Sequence, residues 1–269
     1  MKVNNPLVHL KRIVEAKRIQ RFYRLSYQER VGEIKRLYSH TRMKPSFDRY
    51  FSTGVLPESY SSPYFDIVAA YARELNAQQA LQVGCFTCQD SIFLAHSGFR
   101  KRQIATDFDP DRIEYLKLKF AGDPVCRRIE FGCLDLEGAN PADFNNVDLV
   151  FALAVLSNIQ PEGLERLFKT IASSTVKVCV FGDIYRPQTL SRVAAARSVP
   201  SSSRNWFHPF LSLAERSGME ALFVPGFSNN DFRGIFVIHK GVPTNVHETA
   251  VAHGFGRYVS RQPKIKLDA

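Results

Sequence analysis

Several acidic and polar residues follow short apolar runs of the sequence, and these residues are its candidates for chemistry. Asp107, Asp135 and Asp183 each come soon after such a run, and a carboxylate there can accept hydrogen bonds from a ligand. Asn158 can position a substrate or begin a helix. His208 can remove a proton from a hydroxyl group or stabilise the start of the helix that follows it. Whether these groups converge depends on the elements that carry them.

Seven short apolar runs alternate with amphipathic segments from residue 63 onward. The runs are 80–83, 103–106, 128–131, 147–153, 176–181, 221–225 and 235–239. The segments with helical spacing are 64–74, 90–97, 110–120, 161–173 and 210–217. This order predicts an α/β fold with a doubly wound, mostly parallel seven-stranded sheet and helices on both faces. Ligands of such sheets bind at the carboxyl ends of the strands.

The stretch 80–95, ALQVGCFTCQDSIFLA, places a glycine at the predicted turn between the first strand and its helix. It resembles the glycine-rich first motif of class I S-adenosylmethionine (SAM) methyltransferases, in which apolar residues and an acid precede G-x-G-x-G. Gly84 keeps the first glycine, Phe86 and Cys88 stand where the other two are usual, and Gln82 replaces the acid. Small-molecule O-methyltransferases of this superfamily also use a G-x-F-T-G version. The resemblance implies that Gly84 and Phe86 contact SAM, and that the C-x-x-C spacing is a turn sequence rather than a metal or redox site.

Two acids stand where the superfamily binds the nucleoside part of the cofactor. The stretch 104–120, IATDFDPDRIEYLKLKF, resembles the second strand and its helix. The resemblance implies that Asp107, roughly 20 residues beyond the glycine turn, accepts hydrogen bonds from the ribose hydroxyls, with Asp109 as runner-up. The alternative is an acid that caps the following helix. Asp135 falls where an acid binds the adenine amino group, or it is a turn residue before Gly138.

The stretch 147–168, VDLVFALAVLSNIQPEGLERLF, resembles the fourth strand and the turn after it. The resemblance implies that Leu153 contacts the cofactor and that Asn158 lies near the methyl group, where it positions a substrate or simply begins a helix. The next strand then carries Asp183 and Tyr185 toward the cleft, with Asp183 as a catalytic candidate.

Four partial matches in the correct order favour this superfamily over NAD-binding enzymes, because the turn lacks G-x-G-x-x-G. The two strands within 221–239 look like the family's closing hairpin, which implies an antiparallel last strand. We therefore predict a SAM-binding domain over 63–240, preceded by a basic helical arm and linker over 1–62 and followed by a polar tail of uncertain order over 241–269.

The net charge of +10 is unevenly distributed. The first 60 residues hold 13 Lys or Arg and five Asp or Glu, which gives +8. Residues 6–39 have amphipathic helical spacing with a break near Ser26. Such an arm can meet nucleic acid, a membrane surface or an anionic acceptor, or it can be a solvated helix face.

The region 185–210 covers the acceptor in this superfamily and carries four arginines, which indicate an anionic or polar acceptor or a solvated loop. They are Arg186, Arg192, Arg197 and Arg204. We predict O-methylation of a small molecule, glycan or glycolipid. The alternatives are an RNA methyltransferase that uses the basic arm, and a non-catalytic protein that keeps the fold. With no secretory signal, no membrane-length apolar run and five cysteines, we expect a cytoplasmic location and no metal site.

Overall fold

The computed structural model describes residues 63–261 except 186, 191–195, 202–204 and 226–232, together with 21, 25–26, 28–30 and 32–33. The helices are α1 (Pro63–Glu74), α2 (Gln89–His96), α3 (Pro110–Phe120), α4 (Pro161–Ala172), α5 (Phe210–Arg216) and α6 (Thr244–Arg261). The strands are β1 (Gln79–Val83), β2 (Arg102–Asp107), β3 (Ile129–Cys133), β4 (Leu149–Leu153), β5 (Val178–Ile184), β6 (Val199–Pro200), β7 (Trp206–Phe207), β8 (Glu220–Pro225) and β9 (Arg233–His239).

Seven strands form one sheet in the order β3-β2-β1-β4-β5-β9-β8. The first five are parallel, whereas β9 runs antiparallel to both β5 and β8. The predicted sheet with its antiparallel last strand is confirmed. The chain order reverses between β1 and β4, and parallel sheets of this kind bind their ligands at that point.

Helices cover both faces of the sheet because its strands direct alternate residues to opposite sides. Leu81 and Val83 of β1 pack into a core with α4 and α5, while Ala80 packs into a second core with α1 and α6. A smaller cluster joins α2 and α3 to β2 and includes Cys88. The carboxyl ends of the parallel strands are thus held rigidly between two helical layers.

The carboxyl-terminal segment corrects one prediction. Where the sequence indicated a polar tail, the structure has helix α6, which packs on α1. Ala250 is buried, and the His247 Nδ1 atom lies 2.7 Å from the Tyr71 hydroxyl. The pattern was missed because the apolar side chains of α6 that the structure describes are few and small, among them Val246 and Ala250, although the helix packs closely on α1.

The arm is described at only a few residues. Ser26 and Glu29 form reciprocal capping bonds, with Glu29 Oε2 2.9 Å from the Ser26 amide, and a helix follows them. Arg30 is buried and pairs with Glu137 of the body at 3.3 Å. The predicted break near Ser26 agrees with this cap, and the rest of the predicted helix 6–39 lies outside the described residues. Within the described part, no helix is long and apolar enough to cross a membrane.

Candidate cofactor and acceptor site

The turn after β1 requires glycine for two independent reasons. Gly84 has a φ of +63°, in the left-handed region that side chains disfavour. A Cβ atom on Gly84 would also lie 2.6 Å from Cγ1 of Val155, on the turn after β4. The two turns therefore meet at Gly84 and form the floor of the cleft.

Phe86 and Cys88 adopt the backbone conformation of the glycines they replace. Their φ values are +44° and +60°, so the three alternate positions of the motif are all left-handed. Cys88 is fully buried in the cluster of α2 and α3, which places its side chain in the core. Burial raises the pKa of both Cys85 and Cys88, so these thiols stay protonated, as suits a turn sequence.

Gln82, which replaces the usual acid, has a local structural role. Its Oε1 atom accepts a hydrogen bond from the Ser91 amide at 3.1 Å, and its carbonyl accepts one from the Thr106 hydroxyl at 2.9 Å. Gln82 thus holds the first turn of α2 and the strand β2 against β1.

Asp107 lies at the end of β2, as predicted, but its carboxylate is already engaged. Its two oxygens accept hydrogen bonds from the amides of Phe86 and Asp109 at 3.1 and 3.2 Å. Nη1 of Arg112 lies 2.9 Å from each oxygen. Asp107 and Arg112 are both buried, and the guanidinium carbon lies 5.1 Å from the centre of the Phe86 ring.

The sequence analysis missed Arg112, although its position five residues after Asp107 in the first turns of α3 is a usable signal. Asp109, the runner-up, is the N-cap residue of α3, and its carboxylate lies 3.8 Å from Nη2 of Arg112. The acids at the end of β2 therefore share one arginine.

The turn after β4 brings two predicted residues together. The carboxylate of Asp183 accepts hydrogen bonds from the amides of Ser157 and Ile184 at 3.0 and 2.7 Å. Asn158 accepts a hydrogen bond from the Asn205 amide group at 2.9 Å, and that group also reaches the Ser157 hydroxyl at 3.4 Å. Burial raises the pKa of Asp183. The result is a neutral polar cluster beside a buried carboxylate.

A buried pair that the sequence did not predict lies next to this turn. The Tyr64 hydroxyl donates a hydrogen bond to Asp90 at 3.2 Å, and burial raises the pKa of Asp90 to about 7. The Tyr64 ring packs against Gly182, where a Cβ atom would lie 3.0 Å from it. Leu153, the predicted cofactor contact, covers the same glycine and is half-buried.

Two predicted residues have surroundings that do not suit the roles predicted for them. His208 is fully buried, its Nδ1 atom lies 2.7 Å from the Ser198 hydroxyl, and burial lowers its pKa to about 3. Such a histidine is a poor base, which disfavours the predicted removal of a proton from a hydroxyl group. Asp135 is exposed, and its carboxylate accepts a hydrogen bond from the Glu137 amide at 3.0 Å, as a turn residue does.

Of the four arginines predicted to cover the acceptor, only Arg197 is described, and it is exposed. Arg186, Arg192 and Arg204 lie outside the described residues. In the part of the chain that is described, no group of three or more His, Cys, Asp or Glu residues could hold a metal ion.

Residues 80–177 match the model of a family described as a methyltransferase domain. This part of the chain is therefore a methyltransferase domain, of the class I SAM-dependent kind. Its fold is similar to the methyltransferase domain of bacterial CtHen1-C, with a TM-score of 0.51 and 17% identity over 66% of this chain and 97% of that one.

Two further solved structures share the fold of this methyltransferase. The N-terminal domain of EvdMO1, in the presence of SAH and D-fucose, has a TM-score of 0.51 and 14% identity over 69% of this chain and 85% of that one. The SAM-dependent methyltransferase SibL in its apo form has a TM-score of 0.50 and 14% identity over 65% of this chain and 54% of that one, so the methyltransferase spans about half of SibL. No curated protein matches the sequence.

SAM is the cofactor of this superfamily, and the methyltransferase has residues that fit it. Gly84 leaves no room for a Cβ atom, and Phe86 and Cys88 repeat the glycine backbone conformation, so the loop that approaches the cofactor keeps its shape. Asp107 lies at the end of β2, where the resemblance to this superfamily predicts a carboxylate for the ribose. In this structure Arg112 already occupies that carboxylate.

Proposed function

We propose that this methyltransferase transfers a methyl group from SAM to a hydroxyl group of a small molecule, a glycan or a glycolipid. The polar cluster of Ser157, Asn158 and Asn205 carries this proposal. Its groups are neutral donors and acceptors within 2.9 to 3.4 Å of one another, at the exit of β4. Neutral amide and hydroxyl groups suit a polyhydroxylated acceptor, because they can both donate to and accept from its hydroxyls.

A second group of residues is proposed to contact the cofactor. Gly84 and Phe86 would face the methionine part, and Leu153 would add an apolar contact. Asp107 would hold the ribose, and Asp135 the adenine amino group. Bound SAM supplies a methyl group activated by a positively charged sulfur, so the protein contributes mainly proximity and orientation.

Asp183 is the proposed proton acceptor. Its carboxylate is fixed by two backbone amides next to Asn158. Because burial raises its pKa, Asp183 is a stronger base than an exposed aspartate. Asn158 would orient the acceptor hydroxyl. Its proton would pass to the Asp183 carboxylate as the acceptor oxygen bonds to the methyl group, whose bond to the sulfur of SAM would break and leave SAH.

The basic arm is proposed to contribute to acceptor binding. The buried Arg30 anchors it to Glu137, which follows Asp135 closely in the chain, so the arm contacts the body near the proposed adenine end of the site. All five cysteines are free thiols, in keeping with the proposed cytoplasmic location.

Calorimetry with SAM on the full-length protein tests the cofactor, and transfer of a labelled methyl group tests the acceptor. We expect micromolar SAM binding and label in a small-molecule, glycan or glycolipid fraction. Label in RNA, with transfer that falls steeply with salt, would replace the acceptor class with nucleic acid. Absence of SAM binding would overturn the proposal and favour a scaffold that only keeps the fold.

A further inference from the structure

Arg112 occupies the carboxylate of Asp107 end-on. A single nitrogen, Nη1, is 2.9 Å from both Oδ1 and Oδ2, so it bonds the two oxygens at once and lies midway between them. The lateral positions are filled as well, since the Phe86 amide binds Oδ2 and the Asp109 amide binds Oδ1. An ionised carboxylate offers about four acceptor positions, and here they are all used.

The ribose diol of SAM needs the position that Arg112 holds. Two neighbouring hydroxyls bind a carboxylate by donating one hydrogen bond to each oxygen, from the open end of the group. The two lateral amides can stay while this happens, because they approach from the glycine turn and from α3. The guanidinium cannot stay, because it fills the open end.

We propose that Arg112 determines the affinity and the selectivity of the ribose subsite, because its guanidinium must leave Asp107 before the ribose diol can bind. This inference rests on the proposed role of Asp107. It makes Arg112 a competitor of the cofactor, and it predicts that the preference of the subsite for a ribose diol is smaller while Arg112 is present.

The guanidinium has a second carboxylate within reach. Nη2 of Arg112 lies 3.8 Å from Asp109, whose side chain is more exposed than that of Asp107, at 11% against 2%. A small rotation toward Asp109 therefore keeps the charge of Arg112 paired. This matters because leaving a buried charge without a partner is strongly unfavourable, and the exchange avoids that state.

Phe86 gains a role from the same geometry. Its ring lies 5.1 Å from the guanidinium carbon, in cation–π range. The phenylalanine that replaces the second glycine of the motif thus supports the arginine that competes with the ribose. These two departures from the usual site form one arrangement.

The test compares Arg112→Met with a matched control, Arg128→Met, in the full-length protein. Methionine is long and apolar, so it fills the buried space without reaching Asp107, while Arg128 is exposed and lies on the loop before β3. The probe is S-adenosylhomocysteine (SAH), measured by calorimetry. Removing one charge-assisted competitor should tighten SAH binding about tenfold in Arg112→Met and leave Arg128→Met unchanged.

A 2′-deoxy analogue of SAH tests the selectivity. Wild type should prefer SAH over the analogue less strongly than Arg112→Met does, because the analogue can bind with Arg112 still on Asp107 and then avoids the cost of displacing it. Equal or weaker SAH binding by Arg112→Met would overturn the inference, since Arg112 would then merely position Asp107. Binding by neither protein would overturn the proposed function as well, whereas binding by wild type with weaker binding by the variant overturns the inference alone.

Nitrogen NMR of the arginine side chains provides a second measurement, which observes the Arg112 guanidinium of wild type directly. The Arg112 guanidinium signal, assigned by its absence from Arg112→Lys, should shift when SAH saturates the protein. A signal that stays unchanged in the SAH complex would show that the guanidinium remains on Asp107 and would refute the exchange.

Discussion

Mild acid should destabilise this protein through His208. The imidazole is fully buried, and burial lowers its pKa from about 6.5 to about 3. Above pH 6.5 the histidine is neutral in both the folded and the unfolded chain. Below that pH His208 binds a proton in the unfolded chain but not in the folded chain. The contribution of neutral His208 to the free energy of unfolding is therefore complete above pH 6.5 and is lost as the pH falls toward 3.

The size of the loss follows from the width of this window. Each pH unit below 6.5 removes about 1.4 kcal/mol for one fully buried group, which amounts to about 2 kcal/mol at pH 5. A total stability of about 5–15 kcal/mol makes this a large fraction. Burial also lowers the pKa of His239 and His247, so both act in the same direction.

Asp90 acts in the opposite direction within the same pH range. Burial raises its pKa to about 7, well above the value of about 3.9 for an unfolded aspartate. The folded chain therefore binds this proton more tightly, and the stability due to Asp90 is lost as the pH rises from about 4 to about 7. Asp90→Asn should steepen the loss of stability in acid, whereas His208→Gln should flatten it.

Urea unfolding at pH 7.5, 6.5, 5.5 and 5.0 measures these slopes, and His96→Gln is the control because His96 is exposed. We expect the control to follow wild type, with His208→Gln and Asp90→Asn deviating to opposite sides by about 1 kcal/mol per pH unit. If His208→Gln and wild type have parallel pH profiles, His208 titrates normally in the folded protein and the reasoning from its burial is wrong.

Three further substitutions test the contacts of the site. Asp107→Ala should lower the free energy of unfolding by about 3–5 kcal/mol, because it leaves the Arg112 guanidinium buried without this carboxylate. Adding Arg112→Met should restore part of the loss, and an unchanged melting temperature of Asp107→Ala would contradict the buried ion pair. Gly84→Ala should lower the free energy of unfolding in urea by about 2 kcal/mol more than Gly218→Ala does. Gly218 has a similar φ of +74°, but a Cβ atom there would have nothing within 4 Å. Equal losses would mean that the turns after β1 and β4 do not meet at Gly84. Asn158→Ala should lower kcat/KM for methyl transfer about tenfold or more while SAH affinity stays unchanged; weaker SAH binding would place this residue with the cofactor instead.

The sheet could be predicted from the sequence because its signals are local. Short apolar runs separated by amphipathic segments fix the order of strands and helices, and α3 begins with a proline that favours a first helical position. The predicted fourth and fifth strands started two residues too early. In the structure Asp148 lies just before β4. Its carboxylate accepts a hydrogen bond from the Gln78 amide at 2.8 Å and forms an ion pair with Lys177 at 2.8 Å.

The contacts that decide the site are not local, and the sequence did not reveal them. Tyr64 and Asp90 are 26 residues apart, and nothing around either residue indicates the other. The burial of His208 depends on how the segment around β7 packs against the turn after β4. The sequence therefore supplied the correct position of Asp107 at the end of β2, while the state of its carboxylate required the three-dimensional packing of Arg112.

The turn after β1 has left-handed backbone at Phe86 and Cys88, where the family motif has glycines. Left-handed backbone at Phe86 and Cys88 costs roughly 1–2 kcal/mol for each residue relative to glycine, so these residues persist only where their side chains return that free energy. Cys88 does so by filling the core beneath the turn. Phe86 does so through the guanidinium of Arg112, and this contact ties the loop to the carboxylate that the loop amide also binds. A glycine at either position would relax the backbone, but at Phe86 it would also release the arginine from one of its supports. The departure of Phe86 from the family motif and the arginine on Asp107 are therefore physically linked, and Phe86→Gly should weaken the hold of Arg112 on Asp107.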